Sequence, residues 1–263
     1  MNPLVSVIIP TFNRKELLTE TVHSILNQTY KKMEVIIVDN YSNYDIIALI
    51  AAFNDSRISL FQNENHGIIA VNRNYGIEKA KGEYIAFCDD DDLWVPEKLE
   101  KQIEIIANND VCCTNREYID VDTKIIPHRA LFIPKNLSLS NFLCSNFVTL
   151  SSVLVKKDVL KQYKGFTCQP EFKYCEDYEL WGKMLATGQK FIICKEKLVL
   201  YRLHQSNLSE NLEAGIKKTI KVNRHLFKKY EISKRVMLQT EIVYFLKLIY
   251  YKLKGLKSIF HQN

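Results

Sequence analysis

Four consecutive aspartates, Asp89 to Asp92, follow an apolar run in the segment IAFCDDDDLWVPEKL (residues 85–99). Adjacent carboxylates repel one another, and no cation stands within five residues of the run on either side. A hydrated turn ahead of a helix accommodates an acid or two, favoured by the positive helix N-terminus. Four in line call for a positive ligand. An EF-hand calcium loop needs glycine at its sixth position, which here is Trp94. An aspartyl nucleophile of the Asp-x-Asp-x-Thr/Val type fails at Leu93. What remains is a hard divalent cation, Mn²⁺ or Mg²⁺, held by one or two carboxylates and completed by substrate phosphates and water. Such a cation would neutralise a diphosphate leaving group, a step that needs only positive charge where negative charge develops.

A second acidic pair, Glu176–Asp177, opens EDYELWGKMLATG (176–188). Acids suit a first helical turn, and residue type alone assigns the pair no further role. His204, in YRLHQS, is a lone histidine after an apolar run, where a structural or surface role is the ordinary one. Trp94 and Trp181 read as packing residues rather than sugar platforms, although Trp181 stands close enough to Asp177 to border an acceptor.

The elements that must position these groups follow from periodicity. VSVIIP (5–10), EVIIVDNYS (34–42, ending on Asp39), RISLFQN (57–63), EYIAFCDDDD and VCCT (111–114) read as strands. Helices are expected from Lys15, within 66–82 closed by Gly82, and over 96–109 opened by Pro96. Strands apolar throughout, alternating with helices, imply a mostly parallel sheet covered on both faces. Ligands bind such sheets beyond the carboxyl ends of the strands, where Asn13, Arg14, Asp39 and Asp89–Asp92 fall. After about residue 115 the alternation becomes irregular. NFVTLSSVLVKK (146–157), KFIIC and KLVLYRLH read as strands, 176–188 as a helix ended by Gly188, and two long helices follow from Glu210.

Composition bounds the rest. The 263 residues, 47% hydrophobic and 25% charged, suffice for one large core and exclude disordered and fibrous classes. Residues 211–263 hold twelve Lys/Arg against three Asp/Glu, so the overall +6 belongs to the tail. Seven cysteines without a CxxC pair argue against a zinc site or disulfide framework and for buried thiols in a reducing compartment. The N-terminus is too short in its apolar run and too weakly basic for a signal peptide, and no apolar run approaches a spanning length. A cytoplasmic protein is expected. No nucleic-acid recognition motif is present.

In VSVIIPTFNR, EVIIVDNYS, NENHGIIAVNRNYGIEKAKGEYIAFCDDDDLWVPEKLEKQ and EDYELWGKM, in that order over about residues 4–205, the chain resembles the family 2 glycosyltransferases of GT-A fold. The resemblance implies inverting transfer of a hexosyl or N-acetylhexosaminyl group from a nucleotide-sugar, usually a UDP-sugar, in bacterial surface-polysaccharide synthesis. It implies a catalytic domain over 1–209, with a nucleotide-binding half (1–115) and an acceptor half (116–209), and a basic amphipathic helical extension over 210–263. Pro10, Thr11, Asn13 and Arg14 match the nucleoside cradle, Asp39 the acid that accepts from the base, and Arg73 a position near the base or diphosphate. Asp89 and Asp91 match the metal-binding DxD signature, with Asp90, where relatives carry a small residue, as a surplus acid beside the donor. Asp91 is favoured as the direct ligand, with Asp89 and Asp92 as alternatives. Asp177 matches the general base, and His204 a late histidine near the metal. The implied acceptor is a saccharide on a polyprenyl or lipid A carrier. Within the tail, 234–260 mixes aromatic and aliphatic residues with Lys247, Lys252, Lys254 and Lys257, which suits packing on the catalytic domain, an anionic inner-membrane surface, or a homodimer contact. A sugar-nucleotidyltransferase is disfavoured by the absence of glycine in PTFNRKE, and a non-catalytic sugar-binding relative by the presence of both acidic motifs.

Overall fold

The computed structural model describes residues 2–127, 134, 136–204 and 212–260, and side chains up to Tyr250 apart from Leu212. The expected boundary at 209–210 and the side chains of Lys252, Lys254 and Lys257 lie outside the described residues. The order is β1 (Val5–Thr11), α1 (Lys15–Leu26), β2 (Met33–Asp39), α2 (Ile46–Ala52), β3 (Ile58–Gln62), α3 (Ile69–Lys79), β4 (Tyr84–Phe87), β5 (Leu93–Trp94) and α4 (Lys98–Ile106). It continues with β6 (Val111–Ile119), α5 (Leu139–Cys144), β7 (Leu154–Lys156), α6 (Lys157–Gln162), α7 (Glu176–Ala186), β8 (Phe191–Arg202), α8 (Leu212–Lys229) and α9 (Lys234–Phe260).

The sheet runs β3-β2-β1-β4-β7-β6-β8-β5. β1 to β4 pair in parallel, as their uniformly apolar sequences require. In β1, Val5, Val7 and Ile9 join the core beneath α1, whereas Ile8 joins the opposite core. Gly76 lets α3 lie close on that second face, since a Cβ there would come within 2.5 Å of Ile8. The parallel register sets Thr11 level with Asp39 and Ile8 level with Phe87, so the chain leaves β1, β2 and β4 along one rim.

Four expectations are corrected. The strand expected over 146–157 is a single turn of 3₁₀ helix (Leu150–Ser152) followed by only three strand residues, because Lys157 starts α6. That short β7 is antiparallel to both β4 and β6 and separates the two parallel blocks. The two strands expected over KFIIC and KLVLYRLH are one, β8, whose exposed Lys195–Glu196–Lys197 interrupts the apolar pattern at an irregularity in its pairing with β6. α2 was not expected; it is seven residues long and capped by Asp45, whose carboxylate accepts from the Ala48 N–H at 2.9 Å. The aspartates do not continue β4, which stops at Phe87, and α4 begins at Lys98 rather than Pro96.

In the tail, α8 packs on α7, and α9 packs on α5 and α8. Gly182 of α7 permits this approach, since a Cβ there would meet Leu226 of α8 at 2.6 Å. The seven cysteines are free thiols, five of them buried.

Candidate active site

The aspartate loop turns its four carboxylates alternately outward and inward. Asp89 and Asp91 keep 30% and 14% of their side-chain surface exposed, whereas Asp90 and Asp92 are buried. Each carboxylate has hydrogen-bond partners, with Arg14 Nη1 shared by Asp90 and Asp91, which offset part of the repulsion. Asp89 accepts from Arg73 Nη2 at 2.8 Å. Asp90 accepts from Thr11 Oγ1 at 2.7 Å and from Arg14 Nη1 at 3.0 Å, so the acid that looks surplus in the sequence joins the end of β1 to the loop. Burial still pushes the Asp90 carboxyl up to about 6, against the pull of Arg14. Asp91 accepts from Arg14 Nη1 at 2.7 Å and lies 3.0 Å from His204 Nε2, so the late histidine does reach the loop.

Asp92 faces into the protein. Its carboxylate accepts from Ser151 Oγ at 2.5 Å and from the Arg202 N–H at 3.1 Å, and burial with the nearby Asp91 and Asp89 charges holds it well above the ordinary carboxylate range. Ser151 Oγ also accepts from the Asp89 N–H at 3.1 Å. Arg202, fully buried, donates from Nε to the Asp91 carbonyl at 3.0 Å, and Thr21 Oγ1 donates to the Asp92 carbonyl at 2.9 Å. Three distant segments thus hold the loop from behind. Asp92 is removed from the candidate ligands, and Ser151 and Arg202 are positioning residues that motif reading missed. They carry no local signal, since their partners lie 59 and 110 residues away. Replacing Ser151 with Ala leaves the half-buried Asp89 N–H and the buried Asp92 carboxylate oxygen without that partner. Ser151→Ala should therefore cost about 1–3 kcal/mol, read as a lower urea midpoint at unchanged slope.

Arg73 links this loop to the second acidic pair. It is buried, with Nη1 on Glu176 at 2.6 Å, Nη2 on Asp89, and its guanidinium 5.7 Å from the Phe166 ring. Sequence resemblance associates Arg73 with the donor, and the structure adds this bridge to the start of α7. Asp177, next to Glu176, accepts from the Tyr178 N–H at 2.7 Å. Burial, with the Glu176 charge adding to it, pushes its carboxyl up to about 7, although Arg73 opposes the shift.

Asp39 ends β2 fully buried. It accepts from the Ser42 N–H and hydroxyl and from Gln62 Nε2, the last at 3.1 Å. Pro10 is buried in β1, and Asn13 lies on the adjacent loop. Asn13 donates its N–H to Ser42 Oγ at 2.9 Å and accepts from the Asn43 N–H at 2.7 Å, in a left-handed backbone (φ 54°) that asparagine tolerates. Both tryptophans are core residues: Trp94 donates Nε1–H to the Ser151 carbonyl at 2.9 Å, and Trp181 is wholly buried against Phe166 and Phe191.

The rim thus brings Thr11, Arg14, Asp39 and Asp89–Asp91 together with His204, and through Arg73 with Glu176 and Asp177. A model of the family described as glycosyl transferase family 2 matches residues 6–163. The chain is 30% identical over 227 residues to a putative teichuronic acid biosynthesis glycosyltransferase, TuaG, of Bacillus subtilis, covering 85% of this chain and 88% of that one. It is 30% identical over 209 residues to the Escherichia coli UDP-Glc:alpha-D-GlcNAc-diphosphoundecaprenol beta-1,3-glucosyltransferase WfgD, covering 79% and 80%. Among solved structures, it resembles the mannosyltransferase PcManGT of Pyrobaculum calidifontis, in complex with GDP-Man and Mn²⁺, with a TM-score of 0.69 at 15% identity, over 94% of this chain and 70% of that one.

Proposed function

Because the chain belongs to glycosyl transferase family 2, we propose that it transfers a sugar, with inversion and with a divalent metal, from a UDP-sugar to a saccharide on a lipid-diphosphate carrier, at the cytoplasmic face of a bacterial membrane. It is a glycosyltransferase of GT-A fold. The observation that carries the finer reading is the bridge Asp89–Arg73–Glu176, which couples the outward acids of the DxD loop to the segment bearing Asp177. The UDP and lipid-carrier elements draw on the activity for which the E. coli relative is named, and the metal on the complex of the Pyrobaculum enzyme.

The donor set fits a divalent cation with few protein ligands. Asp91 and His204 converge at 3.0 Å, and Asp89 is the other outward acid of the loop. Among the described residues no group of three or more His, Cys, Asp or Glu is placed to hold a metal ion together, so a cation here would take most of its ligands from phosphate and water. Asp91 and His204 would hold the ion, with Asp89, paired to Arg73, on the same loop, and the ion would supply positive charge to the departing diphosphate. Arg14 adds a guanidinium at the same place. Pro10, Thr11, Asn13 and Asp39 would cradle the nucleoside. Asp177, raised towards neutrality, takes the proton from the acceptor hydroxyl as that oxygen forms its bond to the anomeric carbon.

A hydrolysis screen across nucleotide-sugars, with Mn²⁺ and with a chelator, tests this. One or a few UDP-sugars should turn over, and only with metal. Equal turnover in chelator would overturn the metal reading. Pyrophosphate release from a nucleoside triphosphate and a sugar phosphate would point instead to a nucleotidyltransferase.

A further inference from the structure

α9 is apolar on two opposite sides. Its inner side, with Thr240 and Tyr244 buried, packs on α5 and α8. Its outer side carries Leu238, Ile242, Phe245 and Ile249 at spacings of four, three and four, which stack on one face. All four are exposed, Leu238 at 60% and Phe245 at 63%, and Leu246 widens the stripe. Phe245 also borders a cleft of about 280 Å³ between α8 and α9, lined by Phe227, Tyr244 and Leu248 together with the polar Asn223, Arg224 and Glu241. At the N-terminal end of the stripe stands a cationic turn: Lys228, Lys229, Lys234 and Arg235 are all exposed, and Glu231 is the one acid among them.

We infer that this face of α9 seats on an anionic bilayer, with Leu238, Ile242, Phe245 and Ile249 in the acyl boundary and the α8–α9 turn on lipid phosphates. Charge selects this occupant over a second copy of the chain. Residues 211–263 carry twelve cations and three acids, so two copies meeting here would bring like charges together, whereas an anionic leaflet attracts them. Among the described residues no helix is long and apolar enough to cross a membrane, so the contact is interfacial. The inference deepens the lipid-carrier reading of the acceptor but does not need it, because the face and its charge are independent of the active site.

Vesicle flotation of the full chain tests it without substrate. The protein should float with phosphatidylcholine vesicles containing 30% phosphatidylglycerol (a chosen probe composition, roughly the anionic content that draws basic segments to a surface). It should bind pure phosphatidylcholine at least about tenfold more weakly and be released by high salt. Phe245→Ser with Ile249→Ser should weaken anionic binding by about tenfold or more, with circular dichroism, thermal midpoint and transfer to a water-soluble acceptor unchanged. Lys228→Gln with Lys229→Gln should remove most of the salt dependence. Failure to float on anionic vesicles, or a wild-type dimer that Phe245→Ser dissociates, would overturn the inference. Loss of activity on every acceptor with flotation retained would instead count against the proposed function.

Discussion

Asp177→Asn should still bind nucleotide-sugar but lose transfer by about 10²–10⁴-fold, the usual contribution of a positioned general base. Asparagine keeps the side-chain oxygen that accepts from the Tyr178 N–H and removes only the basicity, so the start of α7 should remain folded. A rate within about tenfold of wild type, roughly 1.4 kcal/mol, would rule out the role. The pH profile adds a second reading. Burial and the Glu176 charge raise the Asp177 carboxyl to about 7, and the base acts deprotonated. The kcat/KM of the wild type should therefore fall as pH drops through about 7, rather than near 4 where an ordinary carboxylate titrates. Glu176→Gln removes the neighbouring negative charge and leaves Arg73 to act more strongly on Asp177. Both changes favour the ionised form, so the acidic limb should move to lower pH. A limb that stays in place would mean that another group governs it. Because the two acids are adjacent and interact, the limb belongs to the pair.

Asp91→Ala should abolish both transfer and Mn²⁺-dependent nucleotide binding while leaving the fold intact. Its partners are Arg14, which keeps Asp90, and His204 at the rim, so removal strands no buried charge. Asp92→Ala is the control with the opposite signature. It deletes the acceptor for the Ser151 hydroxyl and the Arg202 N–H inside the protein, which should lower stability by about 1–3 kcal/mol. Calorimetric titration of nucleotide with and without Mn²⁺, beside urea unfolding, separates the two. If Asp91→Ala binds nucleotide with undiminished Mn²⁺ dependence, the loop does not hold the metal through Asp91. Adjacent acids of one type should thus fail in different ways, because one faces the rim and the other the core.

Much of this architecture is legible in the sequence. The apolar runs of β1, β2 and β4 can lie only in a covered parallel sheet, and the polar residues at their ends then fall on one rim. The early order of strands and helices and the two long tail helices follow from the same short-range periodicity.

Packing decided the rest. β7 has only three strand residues, too few for a period, and it is a strand because β4 and β6 pair with it from both sides. β8 runs through Lys195–Lys197 because its ladder with β6 resumes beyond the irregularity, although the hydropathy pattern breaks there. α2 is too short to announce a helical period, and of its residues only Ile46 is buried. The division of labour among the four aspartates was likewise decided in three dimensions. Their types are identical, so only partners can distinguish them, and those partners lie 79 residues away in Thr11, 59 in Ser151 and 110 in Arg202. Sequence by itself determined a covered α/β sheet with an acidic loop beyond β4, because strand periodicity is short-range, and its motifs carried the resemblance to the family 2 glycosyltransferases. Tertiary structure alone decided which carboxylate faces the rim, which one anchors the loop, and how Arg73 ties that loop to Glu176, because burial and charge pairing join residues that the chain keeps far apart.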